Sequence, residues 1–445
     1  MYAAPQGRYF PFIMPRTRAL EGLAVVLLVS LAAACGGGGG GTGGSTSTTG
    51  SGGATCAGSQ TSCDGACVDT DNDPAHCGAC GTVCGAVEVC CAGTCVDPDA
   101  DKQNCGQCDN ACPASIACAT GVCICQDPTK ISCSGTCIDP KMDPANCGVC
   151  GRSCAGTTCQ LGQCLAVTLA SGQGMPHGLA VDGTSVYFTN YISPGSLSKA
   201  PLAGGGAATN LVSAGQPAFL AADATDVYFT DVVGNVVSKV PLAGGAVTTL
   251  AEQQQNPQSI VLDAKNVYWV TAGGGTVMSM PKSGGTPKQL AMGQGAPQGI
   301  AVDAEAVYWT NKSTGEIMSV PIAGGTPKKL ASGQNQPTFI AVDGASVYWT
   351  TASPSNGTVM KVPLAGGTPV TLATGQLAAA GIAVDATGVY WANDGKGQIL
   401  RLAPGKKKPD VLSSGQINPY AVAIDKDWIY FTNGHGGGTV QKIPK

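Results

Sequence analysis

The second part of this chain contains no cysteine. All 23 cysteines among its 445 residues fall between Cys35 and Cys164. Charge is also scarce. Only 12% of residues are charged, about half the usual ~25%. The net charge is −4, with no long basic run. A nucleic-acid partner would need a basic face, so that class is excluded. There are three histidines in all, and no Ser-His-Asp set, phosphate-binding loop or paired-carboxylate motif is visible. No apolar run reaches the ~20 residues that span a bilayer. Helical periodicity is missing throughout. Glycine, by contrast, stands at 65 residues, about twice the usual ~7%, as turn-dense all-β structure requires.

What is present is a repeat. The pattern Asp-x-x-x-[Val/Ile]-Tyr-[Phe/Trp] occurs seven times, beginning at Asp182, Asp223, Asp263, Asp303, Asp343, Asp385 and Asp425. The spacings are 41, 40, 40, 40, 42 and 40 residues. A period near 40 with several short strands per repeat predicts a β-propeller. In the unit from Gly299, Gly299–Asp303, Ala306–Thr310, Glu316–Val320 and Lys328–Ala331 read as four antiparallel strands. The segment Ala166–Ala170 matches an outer strand, while Thr439–Ile443 matches a third strand. The first therefore completes the blade of the second, which closes a seven-bladed ring and removes open sheet edges. The fold class is all-β: a seven-bladed propeller over 165–445, preceded by small disulfide-rich modules over 56–164.

The N-terminal segment reads as an export signal over 1–34. Arg16 and Arg18 precede the apolar stretch Leu23–Ala33, which is too short for a membrane span. The run Leu31-Ala32-Ala33-Ala34-Cys35-Gly36 resembles a bacterial lipobox. That resemblance implies lipidation at Cys35, which would become the new N-terminus. Removing Cys35 leaves 22 cysteines, an even number able to pair fully. Residues 35–55 are a Gly/Ser/Thr-rich tract, a flexible tether by composition. The expected location is the cell envelope, anchored by lipid to a bacterial membrane, the outer one by preference.

Between 56 and 164 the spacing Cys-x3-Cys-x9-Cys-x2-Cys-x3-Cys recurs as Cys63–Cys84, Cys91–Cys112 and Cys133–Cys154. Such segments hold too few large apolar groups for an ordinary core, so cross-links must supply the stability. The Cys-x2-Cys pairs Cys77/Cys80, Cys105/Cys108 and Cys147/Cys150 also fit a zinc reading, which an oxidising compartment disfavours. Asp69, Asp71 and Asp73 alternate as calcium ligands can, but turn-forming side-chain chemistry suits them better. The stretches Cys133-Ser134-Gly135-Thr136-Cys137-Ile138-Asp139 and Asn146-Cys147-Gly148-Val149-Cys150-Gly151 resemble the stigma-specific (Stig1-like) Cys-rich family. That resemblance implies an extracellular, disulfide-bonded, non-enzymatic module.

The recurring Val-Tyr-Trp-Thr-Asn of the second strands resembles the YWTD propellers of low-density-lipoprotein-receptor relatives. The resemblance implies a binding platform and no enzyme. Each repeat Asp is expected to cap its turn, and Tyr308 and Trp309 to pack between blades. Function should lie where the repeats differ. Pro176, Pro217, Pro257, Pro297, Pro337 and Pro419 stand in the inter-blade loops, and the residue after each varies. His177, Gln258, Gln298, Thr338 and Tyr420 are therefore the candidate ligand-binding residues of one mouth of the disc, at loop positions outside the blade core. His435 joins them from the last second-to-third-strand loop. A recurring Gln, such as Gln294, is expected to bond nearby loop backbone. No cofactor and no metal is expected. The expected partners are the membrane and an extracytoplasmic protein or glycan, the protein itself being a monomer. Two other readings stay open: a lyase- or lactonase-type propeller with a metal in its central mouth, offering His177, His435 and Glu316, or a purely structural envelope protein.

Overall fold

The computed structural model describes residues 56–114, 116–434 and 438–445. The leader, the lipidation candidate Cys35, the tether and His435 lie outside the described residues. Among those described, no helix is long and apolar enough to cross a membrane.

Seven four-stranded antiparallel sheets form the ring. Blade 1 runs Pro176–Val181, Ser185–Asn190, Gly195–Pro201 and Thr209–Ala214, from inner to outer strand. Blades 2 to 6 repeat this order. Blade 7 takes Pro419–Ile424, Trp428–Asn433 and Thr439–Pro444 from the end of the chain. Its outer strand is Val167–Ala170, which pairs antiparallel with Thr439–Pro444. Lys445 adds an ion pair to Asp385, binding blade 7 to blade 6.

Strand alternation explains the core. Inside each second strand the aromatic pair points one residue to each neighbouring blade. Tyr268 and Trp309 share one cluster between blades 3 and 4, while Tyr308 and Trp349 share the next. Trp269, Trp309, Trp349 and Trp391 are fully buried. Truncating any of them to Ala should cost about 3–5 kcal/mol. The repeat Asp caps as expected: Asp303 accepts from the N–H groups of Glu305 and Ala306, both at 2.8 Å. It also accepts from the Tyr308 hydroxyl at 2.8 Å, tying the turn to the packed ring.

Neighbouring inner strands approach closely. A Cβ placed on Gly299 would stand 2.2 Å from the Thr338 carbonyl oxygen, so only glycine fits there.

The Cys-rich region is a row of short hairpins, beginning with Thr61–Cys63 and Ala66–Val68. All 22 described cysteines are paired, giving eleven disulfides. Three bridges recur along the row: Cys63–Cys80, Cys91–Cys108 and Cys133–Cys150; then Cys77–Cys90, Cys105–Cys118 and Cys147–Cys159; then Cys84–Cys95, Cys112–Cys123 and Cys154–Cys164. Cys56–Cys67 and Cys125–Cys137 complete the set. The members of each Cys-x2-Cys pair thus bond elsewhere. Three sulfur triads, such as Cys77, Cys84 and Cys95, cluster within 4.8 Å. Every sulfur in them belongs to a disulfide and lacks the thiolate a zinc ion needs. The Asp69 carboxylate accepts from the Asp71 N–H at 3.1 Å, and Asp73 from Ala75 at 2.8 Å. Both are turn contacts of the expected kind. The last module touches blade 6, where Arg152 donates to the Leu412 carbonyl at 3.2 Å and Ser414 Oγ to Gln163 Oε1 at 2.8 Å.

Candidate functional site

Each inter-blade loop is pinned to the second-to-third-strand loop of its own blade. Tyr191 N–H donates to the Met175 carbonyl, Asp394 to Ala378 and Gly434 to Asn418, at 3.0, 3.3 and 2.9 Å. Both loop sets therefore share one face. The residue before the inner strand adopts positive φ in six blades, including Met175, Ala378 and Asn418. After it comes an irregularity in the strand register, as between Pro176 and Leu179. This bulge aims the next two side chains at the mouth and at the neighbouring blade.

On this face five aromatic rings form one cluster. His177 of blade 1 lies 4.6 Å from Tyr191, nearly parallel at 23°. It lies 4.2 Å from Tyr420 of blade 7 and 4.7 Å from Phe219 of blade 2. Phe339 of blade 5 meets Tyr420 at 5.1 Å and Phe219 at 6.0 Å. Phe219 and Phe339 come from blades three apart, so their contact crosses the centre of the disc. The mouth is plugged by rings at this end. Beside the plug, blades 6, 7 and 1 enclose a pocket of about 210 Å³ walled by His177, Tyr191 and Tyr420, with Asp394 and Asn418.

Burial dominates the electrostatics. It pushes His177 down to about 4, although its hydrogen bond with the Ala218 carbonyl pulls the other way. Nδ1 is 3.1 Å from that carbonyl oxygen, which only accepts, so Nδ1 carries the proton and the ring is neutral at pH 7. Burial also raises Tyr420 above the usual phenol range, with the Tyr191 and Asp394 charges adding to it.

The candidate residues do not all meet. His177 and Tyr420 do. Gln258 and Gln298 form a separate pair, with Gln298 Nε2 donating to Gln258 Oε1 at 3.2 Å. Thr338 is buried, its hydroxyl 3.5 Å from that of Thr350. The expectation that these positions stand outside the blade core needs correction. Tyr420 belongs to the inner strand Pro419–Ile424 and packs on two hydrophobic clusters. Glu316 is occupied, 2.5 Å from Lys329 and 2.9 Å from the Thr314 hydroxyl. The recurring Gln serves the scaffold. Gln294 Nε2 donates to the Met292 carbonyl at 2.9 Å, and its Oε1 accepts from Trp309 Nε1 at 3.0 Å and Asn311 Nδ2 at 2.9 Å. Among the described residues the plugged mouth offers a single imidazole, His177, whose Nδ1 is taken up by the Ala218 carbonyl.

Sequence reading missed Phe219, Phe339, Tyr191 and Asp394, yet two registers hold their signal. Two residues into the inner strands the chain reads Gly178, Phe219, Ser259, Gly299, Phe339, Gly381 and Ala421. Just after the second strands it reads Tyr191, Val232, Ala272, Lys312, Ala352, Asp394 and Gly434.

Residues 47–126 match the model of the stigma-specific STIG1-like protein family. No curated protein sequence matches the chain. Among solved structures the propeller is similar to a streptogramin B lyase, with 15% identity and a TM-score of 0.55 over 63% of this chain and 97% of that one. It is equally similar to selenomethionine-substituted virginiamycin B lyase from Staphylococcus aureus, at 15% and 0.55 over 63% and 98%. A nidogen/laminin complex gives 22% and 0.42 over 47% and 85%. At such identity the likeness to the lyases is one of fold. It nevertheless corrects the expectation of a non-enzyme, because solved propellers of this shape include lyases.

Proposed function

We propose that this protein is an envelope-tethered recognition protein whose ligand enters the aromatic pocket at blades 6, 7 and 1. The observation that carries the reading is a break in the sevenfold pattern that coincides with a cavity. Most registers repeat the residues that build the blade, and such residues serve the repeat. At this sector His177, Tyr191, Tyr420 and Asp394 gather around a cavity, in registers that hold Ala, Gln, Thr, Val, Lys or Gly in the other blades. A concave, mostly apolar site with a few convergent polar groups is what ligand binding requires. On this reading a lipid at Cys35 holds the chain in the envelope, and the disulfide row spaces the propeller from the membrane.

The test has two arms. A fragment library titrated against the full chain should perturb the Tyr191 and Tyr420 resonances, and bound fragments recovered and weighed report any turnover. Hits that map only elsewhere on the disc would remove the pocket from consideration. Cys35→Ser should release the protein from membranes. Retention at unchanged levels, with no acyl chain in the intact mass, would defeat the anchor.

A further inference from the structure

We propose that the pocket takes a cationic head group, a quaternary ammonium or protonated amine. This rests on the pocket being the ligand site. Asp394 is the one acidic side chain among the described residues of the pocket wall. One of its carboxylate oxygens accepts from Asn418 Nδ2 at 2.8 Å, which fixes the group across the gap between blades 6 and 7. No basic side chain among the described residues pairs with it. The nearest in sequence, Lys396, is turned away and donates to the Gly375 carbonyl at 2.8 Å. A carboxylate held in place without a cation, beside apolar surface, leaves a negative field for the ligand to answer.

The walls add to that field. Tyrosine rings present negative faces, which attract cations most where water is excluded. His177 is neutral and contributes a third ring without a competing positive charge. Size sets a further limit. At about 210 Å³ the cavity falls below the ~300–1,000 Å³ of sites for drug-sized ligands. It accommodates a head group, with the rest of the molecule outside.

The probes are choline and its uncharged carbon isostere, 3,3-dimethylbutan-1-ol, titrated calorimetrically into the full chain. Choline should bind about tenfold more tightly than the isostere, the ratio a partly desolvated cation–aromatic contact gives. Asp394→Asn keeps the side chain's size while removing its charge, and should lower choline's advantage over the isostere severalfold. Equal binding of both probes, or a preference for the isostere, overturns the cationic assignment and leaves an apolar pocket. If neither probe nor any neutral fragment perturbs Tyr191 or Tyr420, the pocket itself is not a ligand site, and both proposals fall.

Discussion

His177 and Tyr420, from the first and last blades, stack their rings 4.2 Å apart at 33°. The contact buries an imidazole at the ring's seam, so folding there is linked to proton release. Burial holds His177 near 4 in the folded chain, whereas an unfolded histidine takes its proton near ~6.5. The unfolded state therefore binds more protons as pH drops below that value. The stability in question is fully present above pH ~6.5 and lost as pH falls toward 4, in total roughly 3 kcal/mol. Urea unfolding at pH 7 and pH 4.5 should show the loss in the wild-type chain and much less of it in His177→Gln. Parallel pH profiles for the two proteins would mean that His177 is solvated.

Tyr420 and Tyr191 separate packing from binding. Tyr420→Ala removes a ring from two clusters and should cost about 2–4 kcal/mol of stability. Tyr191→Ala, on the loop side of His177, should weaken fragment binding with a smaller loss in melting temperature. Tyr420→Phe keeps the ring and should melt like wild type. A Tyr191→Ala protein that binds as well as the parent would locate the ligand elsewhere.

Gly299→Ala pushes a methyl into the Thr338 carbonyl of the next blade. Overpacking of this kind costs about 1–3 kcal/mol. Gly344→Ala is the control, because nothing lies within 4 Å of its Cβ position. Thermal melts should place the first variant clearly below the second, and coincident melts would show that the inner strands can separate freely.

Deleting residues 166–170 strips the outer strand from blade 7 and bares Thr439–Pro444. Such an edge recruits other chains. The shortened protein should melt lower and form aggregates visible by light scattering. A monomer of unchanged melting temperature would contradict closure by this strand.

The ring was legible because each blade repeats the same solution. Asp, Tyr and Trp recur at one spacing, and each recurrence serves the same turn or inter-blade core. The plug was legible only in part. Alternation says which way a side chain points along a regular strand, but the bulge after Pro217 and Pro337 breaks it. Phe219 and Phe339 therefore gave no orientation, even though small residues hold their register elsewhere. Asp394 looked like one polar loop residue among many until Asn418, from the neighbouring blade, was found to fix it. The disulfide partners were not derivable at all, because spacing constrains loops and does not choose between sulfurs within reach.

Strand Val167–Ala170 leaves the ribosome about 270 residues before the segment that will hold it. Through all of that synthesis it is an orphan, and so is every provisional arrangement of the blades behind it. Assembly of the wheel is therefore an end-of-line event. A chain halted anywhere before Thr439 is an open arc with two unpaired margins.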